Sequence, residues 1–305
     1  MPMILQTEEY LMPRSLPELW AMLRERPEAK LIAGATDLMP QAREGRKGEN
    51  NFPLLIDITR VPELNRIERR GEQIWVGATA TFGDFLSHPL ILNHGRVLTH
   101  SGRQVACPPI RTQATIGGNL VNASPAADGT PALLALDAEV HLARVDASGE
   151  VIRRQLPLKD FLLGPGLTAL GLNEVVLGVA FPALIPGRDG TSFYKVGRRR
   201  SLIIAVVSAA TVVRLSPDGT SFEQVRIALG SVGPVPIRAE TAERLLIGRP
   251  VTETTVREAA AACVELVNSR SRKQYRRQVV EAFVFRSVMD AVAEVGKAME
   301  VTRVG

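Results

Sequence analysis

Two short segments of the sequence combine glycine with small hydrogen-bonding side chains, as loops that bind a phosphorylated ligand do. Residues 33–37 read AGATD, and residues 115–119 read TIGGN. Because glycine has no Cβ, the backbone can turn tightly there and a ligand can approach the backbone N–H groups. Several N–H groups in one turn form a concave anion site suited to a diphosphate. An ordinary Gly-Gly turn with a polar rim is the alternative that this composition leaves open.

Other kinds of chemical site find little support in the sequence. Neither glycine segment has the Walker or the Rossmann pattern, and no G-x-S-x-G elbow indicates a hydrolase. The four histidines show no metal-binding spacing with cysteines or carboxylates. Two cysteines, Cys107 and Cys263, are too few for a disulfide framework or for the four thiolates of an iron–sulfur cluster. We interpret Cys107 as a small packed residue and not as a nucleophile.

Composition indicates a globular protein. The chain has 305 residues, of which 45% are hydrophobic and 23% are charged, so it can form two domains with a core in each. Its longest apolar run, residues 202–213, is shorter than the roughly twenty residues that span a bilayer. Residues 1–9 lack the basic and apolar regions of a secretory signal. We therefore expect a cytoplasmic protein without a membrane span.

The net charge of +5 raises the question of nucleic-acid binding. Arginine supplies most of the positive charge, with clusters at residues 198–200 and 270–277. Aromatic residues make up only 5% of the chain and do not interleave with these clusters as stacking platforms for bases would. We expect a solvated surface or contact with an acidic partner subunit, and no nucleic-acid binding.

The first 180 residues alternate short strands and helices. Ser15 is predicted to cap a helix that Pro27 ends, because Pro17 and Glu18 suit its first turn. The first glycine segment is predicted to stop at Pro40, and polar residues 41–52 to form an exposed loop. Further helices are predicted near residues 81–86, 95–102 and 129–136, and an extended path at residues 105–110. Strands are predicted around Tyr10 and at residues 30–33, 54–58, 73–78, 139–145 and 151–156, the last two as a hairpin.

A domain boundary is predicted near residues 182–191, because prolines and glycines are frequent there. The elements predicted beyond it are strands at residues 191–195, 205–215 and 225–229, then helices at residues 239–246, 255–268 and 275–298. A small antiparallel sheet followed by helices is an α+β arrangement.

Together, the two glycine segments resemble the FAD-binding subunit of the molybdenum hydroxylase family. The similar stretches are AGATDLMP at residues 33–40 and TIGGNLVNASPAAD at residues 115–128, in the order and spacing of the family. This family includes xanthine dehydrogenase, aerobic carbon monoxide dehydrogenase, nicotinate-type dehydrogenases and 4-hydroxybenzoyl-CoA reductase. The resemblance implies a two-lobed FAD-binding domain of the vanillyl-alcohol-oxidase (PCMH) type at residues 1–182. It also implies the family's own C-terminal domain at residues 191–298.

By matched position, the resemblance implies that FAD lies with its diphosphate between the two glycine segments. The residues that it implies for this diphosphate site are Ala33, Gly34, Ala35, Thr36, Asp37, Thr115, Gly117, Gly118 and Asn119. It places Asp128 at the adenosine end of FAD, whereas a helix N-cap is the alternative for this carboxylate. It places Val121 near the flavin ring, with plain core packing as the alternative, and Leu170 at the adenine or the ring.

Lys195 matches a lysine that contacts the flavin edge in the resembled proteins. A cation there stabilises the anionic reduced flavin, and a surface lysine is the alternative. Two positions depart from the family pattern. Ala35 stands where a second glycine is common, which costs about 1 kcal/mol if that position needs a positive φ. Ile203 stands where an acidic residue is common.

The resemblance implies an electron-transfer subunit with no catalytic residue and no metal ligand of its own. Its expected partners are a large subunit with the molybdenum cofactor and a small subunit with [2Fe-2S] clusters, in a heterotrimer or a dimer of heterotrimers. The flavin would pass electrons from these clusters to an external acceptor. A flavin-binding scaffold without turnover and a stand-alone FAD oxidoreductase are the alternatives. The sequence identifies neither the organic substrate nor the acceptor.

Overall fold

Short strands and helices alternate through the N-terminal part of the chain, and a four-stranded antiparallel sheet with further helices follows. The structure, a computed structural model, describes residues 7–44, 52–198 and 204–304. The helices are α1 (Leu16–Glu25), α2 (Leu38–Glu44), α3 (Pro89–His94), α4 (Arg96–Gln104), α5 (Pro108–Arg111), α6 (Ile116–Asn122), α7 (Gly129–Ala135), α8 (Leu158–Phe161), α9 (Glu240–Leu246), α10 (Glu253–Ala262) and α11 (Lys273–Val304). The strands are β1 (Glu9–Leu11), β2 (Lys30–Ile32), β3 (Leu54–Asp57), β4 (Ile67–Arg70), β5 (Gln73–Gly77), β6 (Glu139–Val145), β7 (Val151–Pro157), β8 (Leu162–Gly164), β9 (Leu167–Thr168), β10 (Val175–Pro182), β11 (Asp189–Gly197), β12 (Ala205–Leu215), β13 (Phe222–Gly230) and β14 (Ile237–Arg238).

The first lobe is a small parallel sheet in the order β1-β3-β2. Helix α1 connects β1 to β2, and the Ser15 side chain caps it by accepting a hydrogen bond from the Glu18 N–H at 3.3 Å. Its buried face, which includes Leu19 and Leu23, packs into a core shared with the second lobe. The predicted helix start at Ser15 is therefore confirmed.

The second lobe is an antiparallel sheet in the order β4-β5-β10-β6-β7. One face of this sheet packs on α1, and the other face joins the core that contains residues of α4, α6 and α7. The predicted hairpin is confirmed, because β6 pairs with β7 over their full lengths. The first glycine segment follows β2 and leads into α2, whereas the second forms the N-cap and the first turn of α6 beside the end of β5.

The C-terminal sheet has the order β11-β12-β13-β14, and α11 covers one of its faces. The other face contributes Phe193, Ala210, Val212 and Ala228 to the same core as α4, α6 and α7. The α+β layout is confirmed by these two antiparallel sheets and their helices. The division of the chain near residues 182–191 stays a prediction, since the parts on either side share a core.

Three local predictions were wrong. Helix α2 runs to Glu44, so Pro40 does not stop the chain and residues 41–44 are helical; residues 45–51 lie outside the described ranges. Pro108 begins α5 instead of continuing an extended path. Both prolines lie in the first turn of a helix, where their missing N–H breaks no bond. Strand β4 was missed, because charged residues fill this exposed edge.

Candidate functional site

The fold brings the two glycine segments into direct contact. A Cβ built on Gly34 would lie 1.8 Å from the carbonyl oxygen of Gln113, so no side chain fits at this position. The Asn122 amide, from the end of α6, donates a hydrogen bond of 2.5 Å to the carboxylate of Asp37. Gly34 is therefore required for the first segment to pack against the chain just before the second. The hydrogen bond from Asn122 fixes the Asp37 side chain beside α6.

The first glycine segment offers unused backbone donors. Among the described residues, the N–H groups from Gly34 to Asp37 donate no hydrogen bond. Ala35 lies in the left-handed region, with φ of 55°. Alternation of right-handed and left-handed residues turns successive N–H groups to one side and forms an anion-binding concavity. This geometry confirms that the position of Ala35 needs a positive φ, where glycine is the residue without a steric cost.

The second glycine segment does not offer its N–H groups. The N–H of Ile116 donates to Ala80, that of Gly117 to Ala78, and those of Gly118 and Asn119 to Thr115. The expectation of an anion site made from these groups was wrong, because they fix the start of α6 onto the neighbouring strand end. A ligand can therefore contact this segment through its exposed surface and its side chains, but not through these N–H groups.

The two glycines of the second segment have different surroundings. A Cβ on Gly117 would lie 2.7 Å from the carbonyl oxygen and 2.8 Å from the Cβ of Ala78, so this glycine is needed for packing. A Cβ on Gly118 would approach only the hydroxyl of Thr115, at 3.0 Å, and Gly118 is exposed. Gly118 is therefore the glycine against which a ligand can lie closely.

Asp128 and Lys195 form a buried ion pair between the N-terminal part of the chain and the C-terminal sheet. The Lys195 ammonium lies 2.5 Å from Oδ2 of Asp128 and also donates to the carbonyl oxygen of Gln104 at 3.0 Å. The Lys195 side chain is only 1% exposed, so the alternative of a surface lysine was wrong. The N-cap alternative for Asp128 was wrong too, because its side chain makes no cap hydrogen bond to α7.

The contact between Asp128 and Lys195 bears on the two roles that the resemblance implies. A 2.5 Å contact puts Asp128 and Lys195 at one place, whereas the adenosine end and the flavin edge are opposite ends of FAD. An FAD in an extended conformation would reach this ion pair with one of its ends. The adenosine role of Asp128 and the flavin-edge role of Lys195 both stay predictions.

Two buried acceptor oxygens near this pair have no partner among the described residues. They are Oδ1 of Asp128 and Oδ1 of Asn119. Asn119 lies next to the start of α7, since a Cβ on Gly129 would be 2.9 Å from its Oδ1. Buried oxygens without a donor are rare and costly. Burial also raises the pKa of Asp128 to about 6, against the opposing effect of Lys195. Both oxygens fit the hydroxyl or N–H donors of a ligand.

The remaining predicted residues surround this region. Val121 is 39% exposed on α6, so plain core packing was wrong for it. Leu170 is half-buried against the core of the second lobe, and Ala33 packs against the core shared with α1. Thr115 is buried and caps α6, while Thr36 is half-buried in the first segment. Ile203 lies outside the described residues.

Sequence reasoning missed two contributors to the site. Gln104 acts through its backbone carbonyl, which no residue type reveals. Asn122 lies inside the quoted motif, and its amide was a signal that a partner such as Asp37 exists. Across the described ranges there is no cluster of side chains that could hold a metal ion and no helix able to cross a membrane.

The sequence and the fold both match known proteins. The family described as FAD binding domain in molybdopterin dehydrogenase matches residues 5–184, and the CO dehydrogenase flavoprotein C-terminal domain matches residues 192–291. The nicotinate dehydrogenase FAD-subunit of Eubacterium barkeri is 32% identical over 81% of this chain and 82% of its own. The carbon monoxide dehydrogenase medium chain of Hydrogenophaga pseudoflava is 32% identical over 85% of this chain and 86% of its own.

A solved structure supports the same relationship. It is carbon monoxide dehydrogenase from Hydrogenophaga pseudoflava which lacks the Mo-pyranopterin moiety of the molybdenum cofactor. A chain of that structure is 31% identical to this protein, with a TM-score of 0.85 over 96% of this chain and 99% of that one. The likeness confirms the predicted two-lobed α+β fold of the PCMH type with a C-terminal domain.

The fold and the site define a flavoprotein whose cofactor is FAD. The chain belongs to the family of FAD-binding subunits of molybdopterin dehydrogenases, which are oxidoreductases. Its site has the donors and acceptors that such a cofactor requires. Unused N–H groups from Gly34 to Asp37 suit phosphate oxygens, and the oxygens of Asn119 and Asp128 suit hydroxyl donors.

The left-handed backbone at Ala35 yields a prediction about stability. Ala35→Gly should raise the free energy of unfolding by a few tenths to about 1 kcal/mol, since relief of the strain outweighs the greater freedom of glycine in the unfolded chain. Ala33→Gly, at a position without a positive φ, is the matched control and should destabilise the protein. Urea unfolding of the three proteins measures both changes. An equal decrease in the free energy of unfolding in both variants would contradict backbone strain at Ala35.

The buried carboxyl of Asp128 yields a prediction about pH. Burial raises its pKa from 3.8 to about 6, so the folded state binds this proton more tightly than the unfolded chain does. Ionisation of Asp128 therefore lowers the free energy of unfolding. This loss is complete above pH 6 and disappears as the pH falls from about 6 towards about 4. The wild type should therefore gain stability relative to Asp128→Asn over that window, by up to about 3 kcal/mol. Urea unfolding of both proteins without FAD across this range measures the gain, and a difference that stays constant would refute it.

Proposed function

We propose that this chain is the electron-transfer subunit of a molybdenum hydroxylase. It takes electrons from the iron–sulfur clusters of a small partner subunit and delivers them to an external acceptor. The single observation that carries the proposal is the paired glycine site, which meets the buried Asp128–Lys195 pair in a chain of this family.

The residues of this chain have distinct tasks in the proposal. The N–H groups from Gly34 to Asp37 bind the diphosphate of FAD, and Gly118 gives the cofactor room. Asn119 and Asp128 accept hydrogen bonds from its ribityl hydroxyls, which adjoin the ring. This assignment replaces the adenosine role of Asp128, because it brings the carboxylate to the same end of FAD as Lys195.

Lys195 supplies the electrostatic part of the proposal. When bound, FAD provides a centre that accepts electrons singly and releases them in pairs. A buried ammonium favours negative charge close to it far more strongly than an exposed one does. Lys195 is oriented for this task by Asp128 and by the carbonyl of Gln104, which occupy two of its three N–H groups. The third N–H has no acceptor among the described residues and is assigned to the cofactor.

A surface for partner subunits lies beside this site. Leu163 and Leu167, on the β8–β9 hairpin, are 64% and 62% exposed. This hairpin is tied to the end of α6 by the hydrogen bond from Gly166 to Ala123, next to the exposed Val121. Large apolar side chains grouped on a surface indicate a protein interface. The relatives' names, FAD-subunit and medium chain, agree with assembly into a larger enzyme.

Gly118→Val tests the cofactor site and the electron-transfer role together. The new side chain projects into open space beside Thr115, so folding should persist while the affinity for FAD falls at least about tenfold, or 1.4 kcal/mol. FAD fluorescence titration of the isolated chain measures this loss. In the assembled enzyme, the variant should still let substrate reduce the iron–sulfur clusters but should lose turnover with the external acceptor. Thr112→Val, an exposed position nearby, is the control. Undiminished turnover with the external acceptor in enzyme that holds no FAD would contradict the proposed function.

The apolar hairpin predicts a loss of assembly that leaves the chain folded. Leu163→Ser with Leu167→Ser should weaken binding to the partner subunits by about tenfold or more, as loss of an interface anchor does. Ile152→Ser, on β7 and 40% exposed, is a control of similar size outside the hairpin. Size-exclusion chromatography of the co-expressed subunits measures the assembled fraction. An assembled fraction equal to that of the wild type would place the interface elsewhere.

A further inference from the structure

A second site lies on the opposite side of the β4-β5-β10-β6-β7 sheet from α6 and α7. It is a cavity of about 590 Å³ between this sheet and the beginning of α1. Leu16 and Leu64 form its wall on the first lobe, and Trp75 and Leu177 form its wall on the sheet. None of its lining residues belongs to the proposed FAD site. Its volume is that of a pocket for a small organic ligand.

Within the described ranges, some of the arginines that line the cavity form ion pairs with carboxylates, and others do not. Arg70 is held by Glu68 at 2.7 Å and lies over the Trp75 ring at 3.9 Å. Arg66 and Arg153 also line the cavity, yet neither forms an ion pair with another described residue. Arg66 and Arg153 are therefore available to an anion. Arg154, a further lining residue, is not available, because it is bound to Glu174 and to a backbone carbonyl.

The acidic side chains around the cavity do not neutralise this pair of arginines. Glu63 lines the cavity and accepts a hydrogen bond from the Leu16 N–H at 3.3 Å. Glu68 is paired with Arg70. Among the residues that line the cavity, Glu63 opposes the two positive charges of Arg66 and Arg153, while Glu139 acts on His141 from outside the lining. The lining side chains therefore carry an excess of positive charge, which attracts an anion.

Two buried polar atoms of the cavity wall have no partner among the described residues. They are Nε1 of Trp75 and Nε2 of His141. The two rings touch edge to face, with centroids 5.1 Å apart, and both residues line the cavity. The indole N–H is a donor only. Burial lowers the pKa of His141, against the opposing effect of Glu139, and Arg70 adds to the lowering. This favours the neutral imidazole, which has one N–H donor. Buried donors without acceptors indicate that a ligand supplies the acceptors.

We propose that this cavity binds a small organic phosphate. Trp75, His141, Arg66 and Arg153 all line this cavity, and each carries a donor group, without a partner among the described residues, that such a ligand can use. A phosphate has three strong acceptor oxygens arranged in three dimensions, whereas a carboxylate has two in one plane. Guanidinium groups pair with phosphate in bidentate geometry. The part of the cavity lined by Leu16, Leu64 and Leu177 accommodates the organic body of the ligand.

Calorimetric titration of the FAD-loaded chain tests this site, because a filled cofactor site removes competing binding of phosphates to the glycine segments. The probes are ribose 5-phosphate and succinate, two small organic dianions, at low salt. Ribose 5-phosphate should bind one to one. Arg66→Gln and Arg153→Gln should each weaken its binding about tenfold, and Trp75→Phe about fivefold. Arg69→Gln and Arg144→Gln are the controls. These arginines lie on β4 and β6 at positions that alternate with Arg70 and His141, so they belong to the opposite face of the sheet. Both variants should leave binding unchanged.

Other outcomes would overturn the proposal in distinguishable ways. Equal binding of succinate would show an unselective anion site. Binding that does not saturate, or that the Arg69→Gln and Arg144→Gln controls weaken as much as the cavity variants do, would show general attraction to a basic surface. Binding of a hexaglutamate peptide in place of ribose 5-phosphate would assign the cavity to an acidic protein segment. Retention of FAD in every variant, read from its absorption, keeps these results separate from any failure of the proposed function.

Discussion

The buried ion pair between Asp128 and Lys195 is the interaction on which the functional region depends. Each charge alone would be costly to remove from water, and an isolated one would destabilise the fold by several kcal/mol. Their contact, together with the carbonyl of Gln104, makes burial of the lysine tolerable. Since Asp128 precedes α7 and Lys195 lies on β11, the pair exists only when the C-terminal sheet is packed on the N-terminal lobes.

This dependence explains why the two parts of the chain share a core. Phe193 lies on β11 two residues before Lys195, so the two side chains are on the same face of the strand. Phe193 packs into the core around α4, α6 and α7 and thereby holds Lys195 in register with Asp128. Hydrophobic packing thus positions a charge, and that charge completes the cofactor site. The compensation is incomplete, because Oδ1 of Asp128 is left without a partner among the described residues.

The glycine segments divide their tasks in a way that their compositions do not show. Gly34 and Gly117 serve packing, since a Cβ at either position would collide with a backbone oxygen. Gly118 faces open space, and the unused donors lie from Gly34 to Asp37. Ala35 retains a left-handed conformation at a steric cost. The contacts with Gln113 and Asn122 hold the turn around it.

Local sequence signals determined much of the secondary structure. The hairpin of β6 and β7 and the cap at Ser15 were predictable because each rests on residues close in the chain. Prolines were misleading at α2 and α5, because a proline in the first turn of a helix and one in an extended chain look alike in sequence. Strand β4 was not predictable from its charged residues, because only pairing with β5 makes it a strand.

The class of the protein follows from its residues alone, because the two glycine motifs and their spacing are enough to identify the family. The sequence also shows which residues carry polar groups suited to FAD. Which of these groups are free to bind and which are used internally depends on the packing of the folded chain. This packing brought Asp128 to Lys195 across 67 positions of the chain, and it brought Trp75 to His141 on neighbouring parts of one sheet. Contacts between distant residues are set by packing of the whole chain, and no local pattern of residue types records them.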